Sequence, residues 1–160
     1  MTTSSTNRDA AKVSTADKDF YTAFTGAFQG ILKWENLDTL WDVVKARKED
    51  WFIYAIGEKP PEKTASRVEL KHFIDELDRL LRREHGEEYC GIVYTDDIQE
   101  PKFIKIFDPN NIGTSCSIAK TPPLPGWILS VAPPIDLPDK LRQETFQDKS
   151  RKRWWNTLFS

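Results

Sequence analysis

A single helix between residues 66 and 85 constrains the fold more than any other feature of the sequence. Glu69 stands three positions after Ser66, the spacing of a capping box, in which each side chain accepts a hydrogen bond from the other residue's backbone N–H. Apolar residues then recur every three or four positions until Gly86 ends the pattern. These residues are Leu70, Phe73, Ile74, Leu77 and Leu81. The sequence therefore predicts an amphipathic helix whose apolar face packs against another layer.

Short apolar segments on both sides of this helix have the composition of strands. Residues 51–56 are continuously apolar and aromatic, which is typical of a central strand covered on both faces, and residues 89–95 supply a second strand. A strand, a helix and a strand in succession favour a βαβ crossover with parallel strands. Residues 102–107 are predicted to hairpin back on the second strand, and residues 127–131 to form a last short strand.

Two helices are predicted before the first strand. Apolar residues recur at helical spacing from Asp17 to about Lys33, and a second amphipathic stretch follows a capping Asn36 and ends in basic residues near Lys48. The predicted fold class is therefore α/β. We expect a single domain with a mixed sheet of about four strands, containing one βαβ crossover and one β-hairpin, with the two N-terminal helices packed on it.

Composition divides the chain of 160 residues into three parts. Residues 1–16 carry too little apolar surface to offset ordering entropy, so we expect a disordered tail. Residues 17–138 form the predicted α/β domain, and residues 139–160 are polar at first and then basic and aromatic. A net charge of −2 gives no support for a nucleic-acid binder steered by its overall charge, and two cysteines make no disulfide framework. No apolar run is long enough to span a bilayer and no secretory signal is visible, so a cytoplasmic protein is expected.

Residues 108–126 contain four prolines and show no periodicity, which is typical of a functional loop. Asn110 and Asn111 in this loop, and Trp127 directly after it, are candidate binding residues. Cys116 lies among small residues that suit an exposed thiol, which makes it a candidate nucleophile. Both histidines belong to the long helix or its end, so the sequence supplies no partner base beside this thiol.

Three carboxylates near the predicted strand ends are candidate ligands for a hard cation such as Mg²⁺. They are Asp96, Asp97 and Asp108. The alternative is turn chemistry, because aspartate is favoured in turns and no ordered ligand spacing is visible. Nucleotide-binding and hydrolase motifs are absent from the sequence, so neither a metal nor a cofactor is predicted.

The C-terminal segment is the most unusual by composition. Residues 140–160 hold six basic residues and two acidic ones, and they include Arg151, Arg153, Trp154 and Trp155 as candidate binding residues. Basic residues beside tryptophan suit a groove on a partner protein, an anionic lipid surface or single-stranded nucleic acid. The alternative is that the tryptophans cover the domain's own core, since they are costly to leave in water.

The function predicted from these features is a non-enzymatic cytoplasmic accessory or adaptor module. It would bind another protein through residues 108–126 and the basic, tryptophan-rich C-terminus. One alternative is a small hydrolase that uses either the Cys116 thiol or a carboxylate-bound divalent metal. Another is binding to anionic lipid or nucleic acid through the C-terminus.

Overall fold

A computed structural model describes residues 19–112, 124–136 and 149–158. The predicted tail at 1–16 and the polar stretch at 139–148 lie outside these residues. In chain order the elements are α1 (described over 19–24), β1 (Gln29–Ile31), α2 (Trp34–Ala46), β2 (Phe52–Ala55), α3 (Arg67–Glu84), β3 (Val93–Thr95), β4 (Phe103–Ile106), α4 (Pro109–Ile112), β5 (Trp127–Ser130) and α5 (Lys149–Leu158).

The strands of the described chain form one five-stranded sheet in the order β1-β3-β4-β5-β2. Every neighbouring pair is antiparallel. Ile104 in the central strand lies opposite Thr95 on one side and Leu129 on the other. The hairpin predicted between the strands near residues 93 and 103 is confirmed.

Alternating side chains give the sheet two apolar faces. The first face meets α2, α3 and α5 in a large core that includes Ile53, Ile104 and Leu129. The second face carries a smaller cluster, which consists of Phe20, Phe24, Tyr54, Phe103 and Ile128. Two aromatic residues of α1 therefore cover one side of the sheet while the longer helices cover the other.

The parallel crossover and the mixed sheet are not formed. The strand predicted as central, β2, lies at one edge of the sheet, and it runs opposite to β3 because three antiparallel pairings separate the two. The connection after α3 is long enough to reverse the chain, and Gly91 within it has a positive φ of 68°. Helix α3 therefore connects two strands of an antiparallel sheet, β2 and β3, and β4 and β5 lie between them.

The first predicted helix is too long, and no pair of adjacent N-terminal helices forms. Helical residues end at 24, and the following residues form β1, which pairs with β3. A Cβ on Gly30 would lie 3.1 Å from the ring of Tyr94, so close strand pairing favours glycine there. Phe24 and Phe28 both contact the ring of Phe103, although only Phe24 is helical. The helical spacing of Phe24 and Phe28 thus reflects their shared contact with Phe103 and not a continuous helix.

The other two predicted helices are confirmed. In α3 the Ser66 hydroxyl accepts from the Glu69 N–H at 3.1 Å, and the Glu69 carboxylate accepts from the Ser66 N–H at 2.9 Å. Helix α2 begins two residues before the predicted Asn36 cap, and the Trp41 indole N–H donates to Asp78 of α3 at 3.2 Å. Across the described ranges, no helix is both long and apolar enough to cross a membrane.

Replacing Leu77 with alanine is expected to lower the free energy of unfolding by about 2–5 kcal/mol, because its side chain is fully buried in the main core and truncation leaves a cavity. Urea denaturation measures the loss. Val68→Ala is the matched control on the same helix, since Val68 is 79% exposed, and it should change stability by less than about 0.5 kcal/mol. Equal losses in the two variants would contradict the placement of α3.

Candidate functional site

Asp108 is a buried carboxylate directly after β4, where the predicted functional loop begins. It is only 6% exposed, and its Oδ1 accepts from the backbone N–H of Asn110 at 2.9 Å, which closes the turn into α4. Gly126 passes close behind, since a Cβ there would lie 3.2 Å from the Asp108 Cβ. The start and the end of the loop therefore meet at this carboxylate.

Arg151 of α5 pairs with this carboxylate through two parallel hydrogen bonds. Its Nε donates to Asp108 Oδ2 at 2.7 Å and its Nη2 donates to Oδ1 at 3.0 Å. Its third nitrogen, Nη1, lies 2.8 Å from Glu84 at the end of α3. Burial alone would lower the pKa of Arg151, but the hydrogen bonds and charges of both carboxylates outweigh it and raise the pKa, so the guanidinium stays charged.

The inner face of α5 packs on the main core. Trp154 contacts Trp127 of β5 with ring centres 5.5 Å apart, and Trp155 contacts Phe73 of α3 at 6.1 Å. Leu158 is buried one turn further on. The sequence left open whether these tryptophans dock on a partner or pack on their own domain. In the structure both are half-buried against the domain's core.

The outer face of α5 is cationic. Lys152 and Arg153 are exposed and form no ion pair with any residue of the described chain. Lys152 stands three positions before Trp155, so the two share one flank of the helix. Along this flank an open cleft of about 320 Å³ separates α5 from the segment before α3. The residues that line it are Ile53, Pro61, Lys63, Thr64, Ala65, Glu69 and Trp155.

The remaining predicted binding residues lie in three places. Some are at the surface, some are in the core, and some are outside the residues that the structure describes. Asn110 is exposed beside the Asp108 turn, whereas Trp127 is 4% exposed and belongs to the core. Asn111 lies in α4, but its side chain is not among those described. Cys116 also lies outside the described residues. The structure therefore brings the backbone of Asn110 and the side chain of Arg151 to the same carboxylate, that of Asp108, and makes Trp127 part of the core.

The three metal candidates do not come together. The Asp96 carboxylate accepts from the backbone N–H groups of Lys102 and Phe103, and the Asp97 carboxylate accepts from two more within the same turn. Asp108 lies beyond the other end of β4, a strand of four residues that spans about 13 Å. Turn chemistry accounts for the first two and the Arg151 pair for the third. In the described ranges, no group of three or more potential metal-binding side chains converges.

Lys105, which the sequence suggested only as an addition to the metal-dependent alternative, has unusual surroundings in the structure. It lies on the second face of the sheet, and its Nζ is 4.0 Å from the centre of the Phe28 ring and 4.3 Å from that of Phe24. Desolvation by burial lowers the pKa of Lys105 to about 8. The available signal was strand alternation, because Phe103 stands two positions before Lys105 and Phe107 two positions after it, which places a cation on an aromatic face.

No family model, curated protein or solved structure matches this chain. A function therefore has to be inferred from the chain's own residues. The relevant arrangement is a buried ion pair that ties the loop to α5, with two exposed cations on the outer side of that helix.

Replacing Arg151 with methionine is expected to lower the free energy of unfolding by about 3–5 kcal/mol, because it leaves the Asp108 carboxylate buried without its partner. The neighbouring Arg153→Met serves as the control and should be nearly neutral, since that side chain is exposed. Adding Asp108→Asn to Arg151→Met should recover part of the loss. Urea denaturation of the four proteins measures this, and similar stabilities for the two single arginine variants would show that the pair does not hold α5.

The depressed pKa of Lys105 predicts a pH dependence of stability. Its pKa is about 8 in the folded protein and 10.5 for an ordinary lysine, so between these values the unfolded chain binds more protons. Stability should therefore rise with pH across this window. The urea midpoint of the wild type, measured relative to that of Lys105→Met, should therefore increase between about pH 7 and about pH 10. The exposed Lys71→Met is the control, and a constant difference between wild type and Lys105→Met would contradict the depressed pKa.

Proposed function

We propose that the protein is a non-enzymatic, cytoplasmic accessory module that binds another protein through the surface around α5 and the start of the loop at residues 108–126. The observation that supports this is the Asp108–Arg151 ion pair. Two segments that the sequence marks as recognition elements are 43 positions apart, and the pair ties them together. They therefore offer one composite surface rather than two independent ones.

The residues of this surface divide into support and contact. Arg151, Trp154 and Trp155 hold α5 on the domain, so they are positioning residues for the surface. Lys152 and Arg153 project outward without an ion pair to any described residue and are free to meet a partner. Two exposed cations favour a partner with an acidic surface, because complementary charge speeds association and selects among partners.

The alternatives from the sequence have unequal support. Anionic lipid or nucleic acid would meet the same two cations, so these ligands become outcomes of the test. The hydrolase alternative receives no support from the described residues, because Asp96 and Asp97 are engaged in a turn and Asp108 in an ion pair. Cys116 is outside the description.

Reversing the charges of Lys152 and Arg153 is expected to abolish recovery of the partner without unfolding the domain, because both side chains are exposed and form no ion pair with a described residue. The variant Lys152→Glu/Arg153→Glu is compared with wild type by affinity capture from native lysate and mass spectrometry. The control Lys48→Glu/Lys71→Glu makes the same change in net charge at two exposed lysines outside α5, one in the loop after α2 and one in α3.

Support requires one protein that is recovered with wild type and with the control but lost with the α5 variant, all three having the same urea midpoint. Equal recovery by all three, or no recovery above background, would contradict the proposal. Recovery of lipid or nucleic acid alone, with affinity falling steeply as salt increases, would replace it with the corresponding alternative.

A further inference from the structure

Ile53 presents its backbone groups to the outer edge of β2. The Ile56 N–H donates to the Gly126 carbonyl at 2.9 Å, which extends the ladder between β2 and β5 by one pair. Alternate residues of an antiparallel strand bond to the same neighbour, so the backbone groups of Ile53 turn away from β5. Because β2 is the last strand of the sheet, these groups lie at its free edge.

The loop between β2 and α3 covers this edge on both sides of Ile53 but not at Ile53 itself. The Ala65 N–H donates to the Trp51 carbonyl at 2.8 Å, and the Glu58 N–H donates to the Ala55 carbonyl at 3.0 Å. Among the described residues, no hydrogen bond reaches the outward N–H and C=O of Ile53. Ile53 is only 7% exposed, and buried backbone donors and acceptors are nearly always paired. A ligand that supplies one acceptor and one donor side by side would satisfy both groups.

The open cleft beside α5 borders Ile53. Its apolar walls are Pro61, Ala65 and Trp155. The Ile53 side chain belongs to the main core, so it lies on the same face of the sheet as α5. A guest residue directly opposite Ile53 would therefore place its own side chain on that face, in the cleft. The volume of about 320 Å³ accommodates an aliphatic side chain there.

We propose that this cleft binds a short extended peptide segment of the partner, which adds antiparallel to the edge of β2 at Ile53 and inserts one aliphatic side chain beside Trp155. The proposal rests on the function proposed above and names what the α5 surface recognises. A guest residue in an antiparallel pair returns both an N–H and a C=O to Ile53, which is the recognition mode of β-strand addition.

The loop limits the length of the guest. Trp51 and Ala55 are about 13 Å apart along the strand, so about three extended residues fit between the two loop hydrogen bonds. The same loop keeps the β2 strands of two copies of this chain from pairing along their length. A short peptide segment therefore suits this edge better than a second copy.

The charges around the cleft favour acidic residues beside the aliphatic one. Lys63 lines the cleft and Lys152 lies on the adjoining flank of α5, and both are exposed. Neither forms an ion pair with a described residue. Glu69 also lines the cleft, but its carboxylate accepts from the Ser66 N–H at 2.9 Å. Complementary charge thus predicts aspartate or glutamate next to the aliphatic residue of the guest.

A phage-displayed library of random heptapeptides, selected on the full-length protein, is the probe. We expect enriched sequences that share one leucine, isoleucine or valine next to an acidic residue. The same selection on Ala65→Leu should enrich none of them, because the larger side chain fills the cleft from its lining. Ala46→Leu makes the same change at an exposed position of α2, so it is the matched control and should select the same peptides.

Synthetic copies of an enriched peptide test the backbone pairing. N-methylation of its aliphatic residue removes the N–H that donates to the Ile53 carbonyl, and the affinity should fall about tenfold. N-methylation of the next residue, whose N–H faces away from β2, should have little effect. Lys63→Glu should weaken binding of the unmodified peptide about threefold to tenfold, whereas the exposed control Lys71→Glu should not.

The outcomes separate this site from the proposed function. No enrichment on the wild type, or equal effects of the two N-methylations, would overturn the peptide site even if partner capture depends on Lys152 and Arg153. Peptides that bind a folded Ala65→Leu as tightly as the wild type would also overturn it. If Ala65→Leu lowers the urea midpoint, the N-methylated pair and Lys63→Glu decide. Cleft-dependent peptide binding without any captured partner would support the site and contradict the accessory function.

Discussion

Burial of the sheet on both faces is the constraint on which the other elements depend. All residues of β2 and β5 are buried, even though β2 lies at the edge of the sheet. Fully burying one large apolar side chain contributes about 1.5–3 kcal/mol, so neither face of such a sheet is stable in water. Helices α2 and α3 cover most of one face and the aromatic residues of α1 cover the other. Helix α5 then completes the first face with its tryptophans.

Completing that face with a basic helix creates an electrostatic problem that the ion pair resolves. The Arg151 side chain is 13% exposed, and removing a guanidinium from water costs several kcal/mol unless its donors are satisfied. Asp108 and Glu84 provide carboxylates from two different elements, β4's end and α3's end. Because all three groups must meet, the pair also fixes the position of α5 along the core. Specificity of placement is therefore the stronger role of this cluster, and the apolar contacts supply most of the stability.

Sequence patterns within a short segment predicted helices correctly, but they did not predict which distant segments pair in the sheet. The capping box and apolar face of α3 are encoded within some twenty residues, so the helix was predicted with its correct start. Strand order depends on which distant segments pair, and the strand–helix–strand order alone pointed to a parallel crossover that does not form. The spacing of Phe24 and Phe28 reflected their common contact with Phe103. Likewise, nothing local links Arg151 to a partner 43 positions earlier in the chain.

Arg151 and Lys105 are both cations removed in part from water, and their surroundings shift their pKa values in opposite directions. Arg151 keeps its charge because two carboxylates compensate its desolvation, and all three nitrogens of its guanidinium face these carboxylates. Among the described residues, ring faces are what Lys105 meets; they stabilise an ammonium less than a carboxylate does, so desolvation prevails and its pKa falls. An arginine at position 105 would remain charged and inert there, whereas a lysine exchanges its proton near neutral pH. The domain thus uses the cation of Arg151 to join its elements and holds that of Lys105 against two aromatic rings.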